Sequence, residues 1–107
     1  MKYISTRNNS ASVSLREAVL SGMPADGGLY LPEFIPQLTG RSIDSLSSMT
    51  FEEIALKISS KYLSDDIPMT QLHEIVSRSM NIEIKLKQVD DALSVLETFH
   101  GPTMAFK

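Results

Sequence analysis

A chain of 107 residues with a formal net charge of −3 and no cysteine is one small domain, or one domain and the start of another. The mild acidity leaves no electrostatic footprint for nucleic acid or an anionic membrane, and the missing thiols exclude disulfides and thiolate metal sites. Hydrophobic residues at 42% against 21% charged describe an ordinary globular chain, able to bury about two-thirds of its unfolded surface.

The opening run Met1 to Asn9 contains no apolar h-region and no apolar stretch approaches a membrane span, so a soluble cytoplasmic protein is expected. Lys2 to Thr6 and Leu29 to Leu31 are predicted short strands that pair with each other. Ser14 and Glu17 stand at capping-box spacing, with Val13 and Ala18 placed as a hydrophobic staple. Leu15, Ala18 and Val19 then form the apolar face of a first helix, stopped by Gly22 and Pro24. Asp26-Gly27-Gly28 reads as a tight turn leading into a strand; no GxGxxG or Walker-type pattern surrounds it, so it is not read as a phosphate cradle. Ser42 to Leu46 is predicted to be one helical turn.

Thr50 and Glu53 repeat the capping device, with Met49 and Ile54 as the staple, and Phe51, Ile54, Ala55, Ile58 and Tyr62 recur at helical period. A further helix is predicted from near Pro68 to Met80, with Pro68 in the first turn, Leu72, Ile75, Val76 and Met80 buried, and Asn81 as a left-handed stop. Ile82, Ile84 and Leu86 alternate with Glu83, Lys85 and Lys87, the pattern of a half-buried strand. Asp90-Asp91 offers turn chemistry before Leu93-Ser94-Val95-Leu96, which predicts a hairpin. The fold class is therefore α+β, about three helices with short strands, and the helical part gives way to the hairpin near Asn81. That divides the chain into residues 1–81 and residues 82–107.

Most charged residues carry ordinary structural explanations. Glu52 and Glu53 suit a helix N-terminus and Asp65-Asp66 a loop before a helix. Arg7 reads as a structural or solvated residue, with an anionic substrate as the other reading. His73 falls on the outer face of its helix without a ligand partner, so no metal role is assigned. The segment Leu96-Glu97-Thr98-Phe99-His100-Gly101-Pro102-Thr103-Met104-Ala105-Phe106-Lys107 is different. It delivers one lysine behind an apolar approach punctuated by Gly101-Pro102. Packing the Lys107 stem beside Met104, Ala105 and Phe106 would desolvate the ammonium and favour a neutral amine able to attack an aldehyde. His100 either contacts substrate or braces the loop, and Thr103 is a candidate for orienting substrate or cofactor.

This segment resembles the active-site motif of the threonine synthase family, close to FHGPTxAFKD. Asp26-Gly27-Gly28-Leu29-Tyr30-Leu31-Pro32 is similar to a second family pattern, and Tyr3-x-Ser5-Thr6-Arg7 looks like the opening of one branch of the family. The resemblance implies a small N-terminal domain joined to an α/β catalytic domain of the tryptophan-synthase-β-like type, which the hairpin begins. It implies pyridoxal 5'-phosphate held by Lys107 as an internal Schiff base, with Lys107 also acting as general acid and base. The implied reaction converts O-phospho-L-homoserine and water to L-threonine and phosphate. Because the sequence stops at Lys107, before the motif's aspartate, the reading expects an N-terminal fragment, inactive alone, whose partner is the catalytic domain of the same chain. A threonine-synthase-like phospholyase and a non-catalytic interaction module are the alternatives.

Overall fold

The computed structural model describes residues 1–8 and 11–104. Strand β1 (Lys2–Ser5) lies between β2 (Ser12–Ser14) and β3 (Tyr30–Pro32) in an antiparallel sheet of order β2-β1-β3. Tyr3 faces Val13 on one side and Pro32 on the other. The expected pairing of the first and third strands is thus present, and β2 is an addition to it. Ser12-Val13-Ser14 is too short for a period to declare itself, and its residues also serve the following cap.

Helix α1 (Leu15–Ser21) begins where Ser14 Oγ accepts from the Glu17 N–H at 3.2 Å, and ends at Gly22, whose N–H reaches the Ala18 carbonyl at 3.1 Å. Ala18 is buried, but Val19 is exposed rather than part of the core. Val19 sits to one side of the Leu15–Ala18 line, where it forms an open groove of about 320 Å³ with Leu15, Arg16, Leu20, Asp66 and Ile67.

Helix α2 (Gly40–Leu46) is seven residues long, starting two residues before the predicted Ser42, and is capped by Thr39 Oγ1, which accepts from the Ser42 N–H at 3.3 Å. The helices therefore number four among the described residues, not about three. Helix α3 (Phe51–Leu63) carries the complete capping box: Thr50 Oγ1 accepts from the Glu53 N–H at 3.2 Å, and the Thr50 N–H donates to Glu53 Oε2 at 2.7 Å. Lys57 on α3 donates to Ser45 Oγ at 2.7 Å and so ties α3 to α2.

Helix α4 (Met69–Ser79) packs on α3 and buries Leu72 completely and Val76 nearly so. Ile75 is half exposed, against expectation, because it lies at the rim of the stripe that Leu72 and Val76 centre. Pro68 is the residue before the helix rather than within its first turn, and the helix stops at Met80 with φ −97°, so Asn81 is not the left-handed stop. Asp65 and Asp66, in the turn before α4, hold the α-ammonium of Met1 at 3.0 and 3.5 Å, while the Met1 side chain is buried. This clamp fixes the sheet against the helices. Hydrogen bonding to Asp65 leads the causes that raise the amine's pKa, and burial raises that of the Tyr3 phenol on the same strand.

Strands β4 (Lys85–Gln88) and β5 (Ser94–Glu97) form the predicted hairpin, with Lys85 opposite Glu97 and Leu86 opposite Leu96. Asp90 Oδ1 shapes its turn by accepting from the N–H groups of Ala92 and Leu93 at 2.8 and 2.9 Å. The strand opens at Lys85, not Ile82, and all four residues of β4 are exposed instead of half-buried. Among the described residues each strand packs chiefly on the other, so neither face of the ribbon is covered.

That openness extends to the whole chain. It exposes 8240 Å², where a compact protein of this mass exposes about 5,950 Å² and an unfolded one about 17,000 Å². About half of the unfolded surface is therefore buried, not two-thirds. The radius of gyration is 16.6 Å, against about 13 Å for a compact chain of this length. No helix among the described residues is long and apolar enough to cross a membrane.

Candidate functional site

Two places concentrate polar side chains. The first is the Asp26-Gly27-Gly28 turn. Asp26 Oδ1 accepts from Ser5 Oγ at 2.8 Å and from the Gly28 N–H at 2.9 Å, and Arg7 donates to the Asp26 carbonyl at 3.0 Å. The Gly28 N–H, then the Ser5 hydroxyl, then the Arg7 charge hold the Asp26 carboxyl below the usual carboxylate range. Gly27 takes φ 74°, and a side chain on Gly28 would run into Ser5. Arg7 is therefore part of the turn's own bonding, as its structural reading expected. The arrangement closes a loop onto the central strand.

The second place is the segment after β5. Its strand ends on Glu97, and three residues later His100 Nε2 lies 2.8 Å from Glu97 Oε2, with both side chains partly exposed. The Phe99 and His100 rings stand 4.6 Å apart at 39°. Gly101 then folds the chain back beside Ile82, and the Met104 N–H closes a turn onto the Gly101 carbonyl at 3.0 Å. Thr103 lies inside that turn and Met104 leaves it with φ 50°. A left-handed backbone is uncommon outside glycine and costs of order 1–2 kcal/mol per residue, a kind of strain concentrated at functional sites.

Of the sequence-predicted site residues, His100 immediately precedes this turn, Thr103 lies within it, and Lys107 lies outside the described residues. Glu97 was not singled out from the sequence. Its carboxylate precedes an imidazole by three positions, but in extended chain that spacing implies no contact; the chain leaves the strand after Glu97, and its path through Thr98 and Phe99 brings the two groups together. His73 is exposed, with Nε2 4.0 Å from Glu52 Oε1. No group of three or more metal-ligating side chains occurs among the described residues.

A short antiparallel sheet, a capped helical layer and an uncovered ribbon running into a Gly-Pro turn define a small α+β module. The family model described as threonine synthase N terminus matches residues 2–80. The chain is 41% identical to the threonine synthase of Schizosaccharomyces pombe over 113 aligned residues, covering all of this chain and 22% of that protein. The crystal structure of Escherichia coli threonine synthase superposes with a TM-score of 0.90 at 31% identity, over 99% of this chain and 25% of that one. The pyridoxal-phosphate-bound threonine synthase of Brucella melitensis gives a TM-score of 0.88 at 36% identity, over 99% and 24%. The chain belongs to the threonine synthase family, and it spans about a quarter of the length of these relatives.

Proposed function

We propose that this chain is the N-terminal portion of a threonine synthase that converts O-phospho-L-homoserine and water to L-threonine and phosphate in the cytoplasm. The observation that carries the reading is similarity to threonine synthases along the entire chain, including the run Phe99 to Lys107. In this reading residues 1–81 form the N-terminal domain and residues 82–107 begin the catalytic domain. The remainder of the catalytic domain is the partner of the open ribbon and helical faces.

The donor set of the Glu97–Lys107 segment fits the aldehyde end of pyridoxal phosphate, because Lys107 is a primary amine. It holds one imidazole, two hydroxyls and one carboxylate and, before Lys107, no cation, so the phosphate end needs donors from elsewhere. Lys107 would hold the cofactor through Nζ and, once displaced by substrate, move protons as a free amine. The bound group supplies an electron sink that no side chain provides. Gly101-Pro102 sets the direction in which the chain reaches Lys107, and the Gly101–Met104 turn fixes where that approach begins. Alone, the 107 residues are expected to have no synthase activity.

Borohydride reduction of the complete polypeptide in the presence of pyridoxal phosphate, followed by peptide mass analysis, is expected to place the adduct on Lys107. Threonine and phosphate should be released in equal amounts from O-phosphohomoserine. An adduct on another lysine overturns the site, and phosphate without threonine replaces the synthase with a phospholyase.

A further inference from the structure

The turn after β5 holds a carboxylate–imidazole pair whose chemistry is more specific than a loop brace. An ionised carboxylate only accepts hydrogen bonds, so a contact of 2.8 Å between Glu97 Oε2 and His100 Nε2 requires the proton on Nε2. In a neutral ring Nδ1 is then a bare lone pair, and the tautomer is set by the bond the other nitrogen makes. The side chains are partly covered, at 18% exposure for Glu97 and 27% for His100, and the Phe99 ring lies against the imidazole. Glu97 itself is anchored: it is the last residue of β5, in register with Lys85 across the ribbon. The imidazole is thus held at one nitrogen by a group mounted on regular structure.

We infer that Glu97 is a positioning residue that locks His100 in the Nε2–H tautomer and presents Nδ1 as a preformed hydrogen-bond acceptor beside the approach to Lys107. An acceptor lone pair recognises a donor, such as a substrate ammonium, a hydroxyl or a water, and it repels a phosphate oxyanion. His100 therefore serves the donor side of the substrate and not its phosphate. The catalytic part of this inference rests on the proposed function; the tautomer does not.

The test has two arms. In the 107-residue chain, nitrogen-15 NMR of the two histidines at a pH above the imidazole range reports the tautomers directly, with exposed His73 as internal reference. His100 is expected to carry its proton on Nε2 far more completely than His73. Glu97→Ala should bring it to the His73 ratio, and Glu97→Gln, which keeps an acceptor oxygen, should preserve it. Lys85→Ala removes the cross-strand partner while leaving Glu97, and should leave the tautomer unchanged. An Nδ1–H tautomer, a doubly protonated ring, or a ratio indifferent to Glu97→Ala overturns the inference, whatever Lys107 proves to do. In the complete enzyme, Glu97→Ala should lower kcat about tenfold, the scale on which loss of an orienting partner acts, with Glu97→Gln largely rescuing it. Equal loss in both variants would also overturn it. An adduct absent from Lys107, by contrast, would sink the enzyme reading while leaving the NMR result standing.

Discussion

Gly28 is the position where one methyl group should do the most damage. A Cβ built there would lie 2.3 Å from Ser5 Oγ and 3.0 Å from both Asp26 Oδ1 and Thr6 Oγ1. Ordinary contact needs more than an ångström of extra room against Ser5. That hydroxyl is not free to leave, because it donates to Asp26 at 2.8 Å, accepts from the Arg7 N–H at 3.2 Å, and belongs to a buried residue on the central strand. Displacing it forfeits two hydrogen bonds at about 1 kcal/mol each, and forcing a methyl into packed surroundings adds about 1–3 kcal/mol. Gly28→Ala should therefore destabilise the chain by about 3–5 kcal/mol in urea unfolding followed by far-UV circular dichroism. Ser5→Ala alone loses the bonds without the clash and should cost about 1–2 kcal/mol. In the double variant the methyl meets space the hydroxyl vacated, so the two losses should fall short of additive by about 1–2 kcal/mol. A Gly28→Ala cost under about 1 kcal/mol, or strict additivity with Ser5→Ala, would refute the steric account.

Three further outcomes follow from the same structure. Leu72→Ala empties the one fully buried side-chain site among the described residues and should lower the urea midpoint by the equivalent of about 2–5 kcal/mol, toward the lower figure if α3 and α4 close on the gap. Thr50→Ala removes the side-chain half of the α3 capping box while keeping the backbone N–H that donates to Glu53, and should cost about 1 kcal/mol, read from urea unfolding and from faster amide exchange in the first turn of α3. The third concerns acid. Asp26 and Glu53 have folded pKa values depressed by the N–H groups of Gly28 and Thr50, ahead of any side chain. Their contribution is complete above the unfolded values of about 4 and lost as pH falls through the lower folded values. The wild type should thus lose stability on acidification in a window below about pH 4, and Asp26→Asn with Glu53→Gln should flatten that slope.

The parts legible in the sequence were those whose cause is local. Ser14, Thr50 and Gly22 act within four residues, and each sits where its spacing placed it. The Asp90 turn and the hairpin it closes were legible for the same reason; the register was not. Burial was not, because it depends on what lies opposite. Ile75 and Val19 carry the right period for a core and still face outward at the rim. Leu86 and Leu96 alternate as a half-buried strand should, yet among the described residues nothing covers them. In the candidate site, His100 and Thr103 were named from their motif, whereas the Glu97–His100 contact joins two side chains that an extended chain would hold apart. The Met1 clamp on Asp65 and Asp66 joins residues more than sixty positions apart and left no local trace.

The strand order has a practical consequence for anyone shortening this protein. In β2-β1-β3 the middle member is the first of the three in chain order. Deleting Lys2 to Ser5 would not trim an edge; it would leave two outer strands with nothing between them, and dissolve the sheet from its centre.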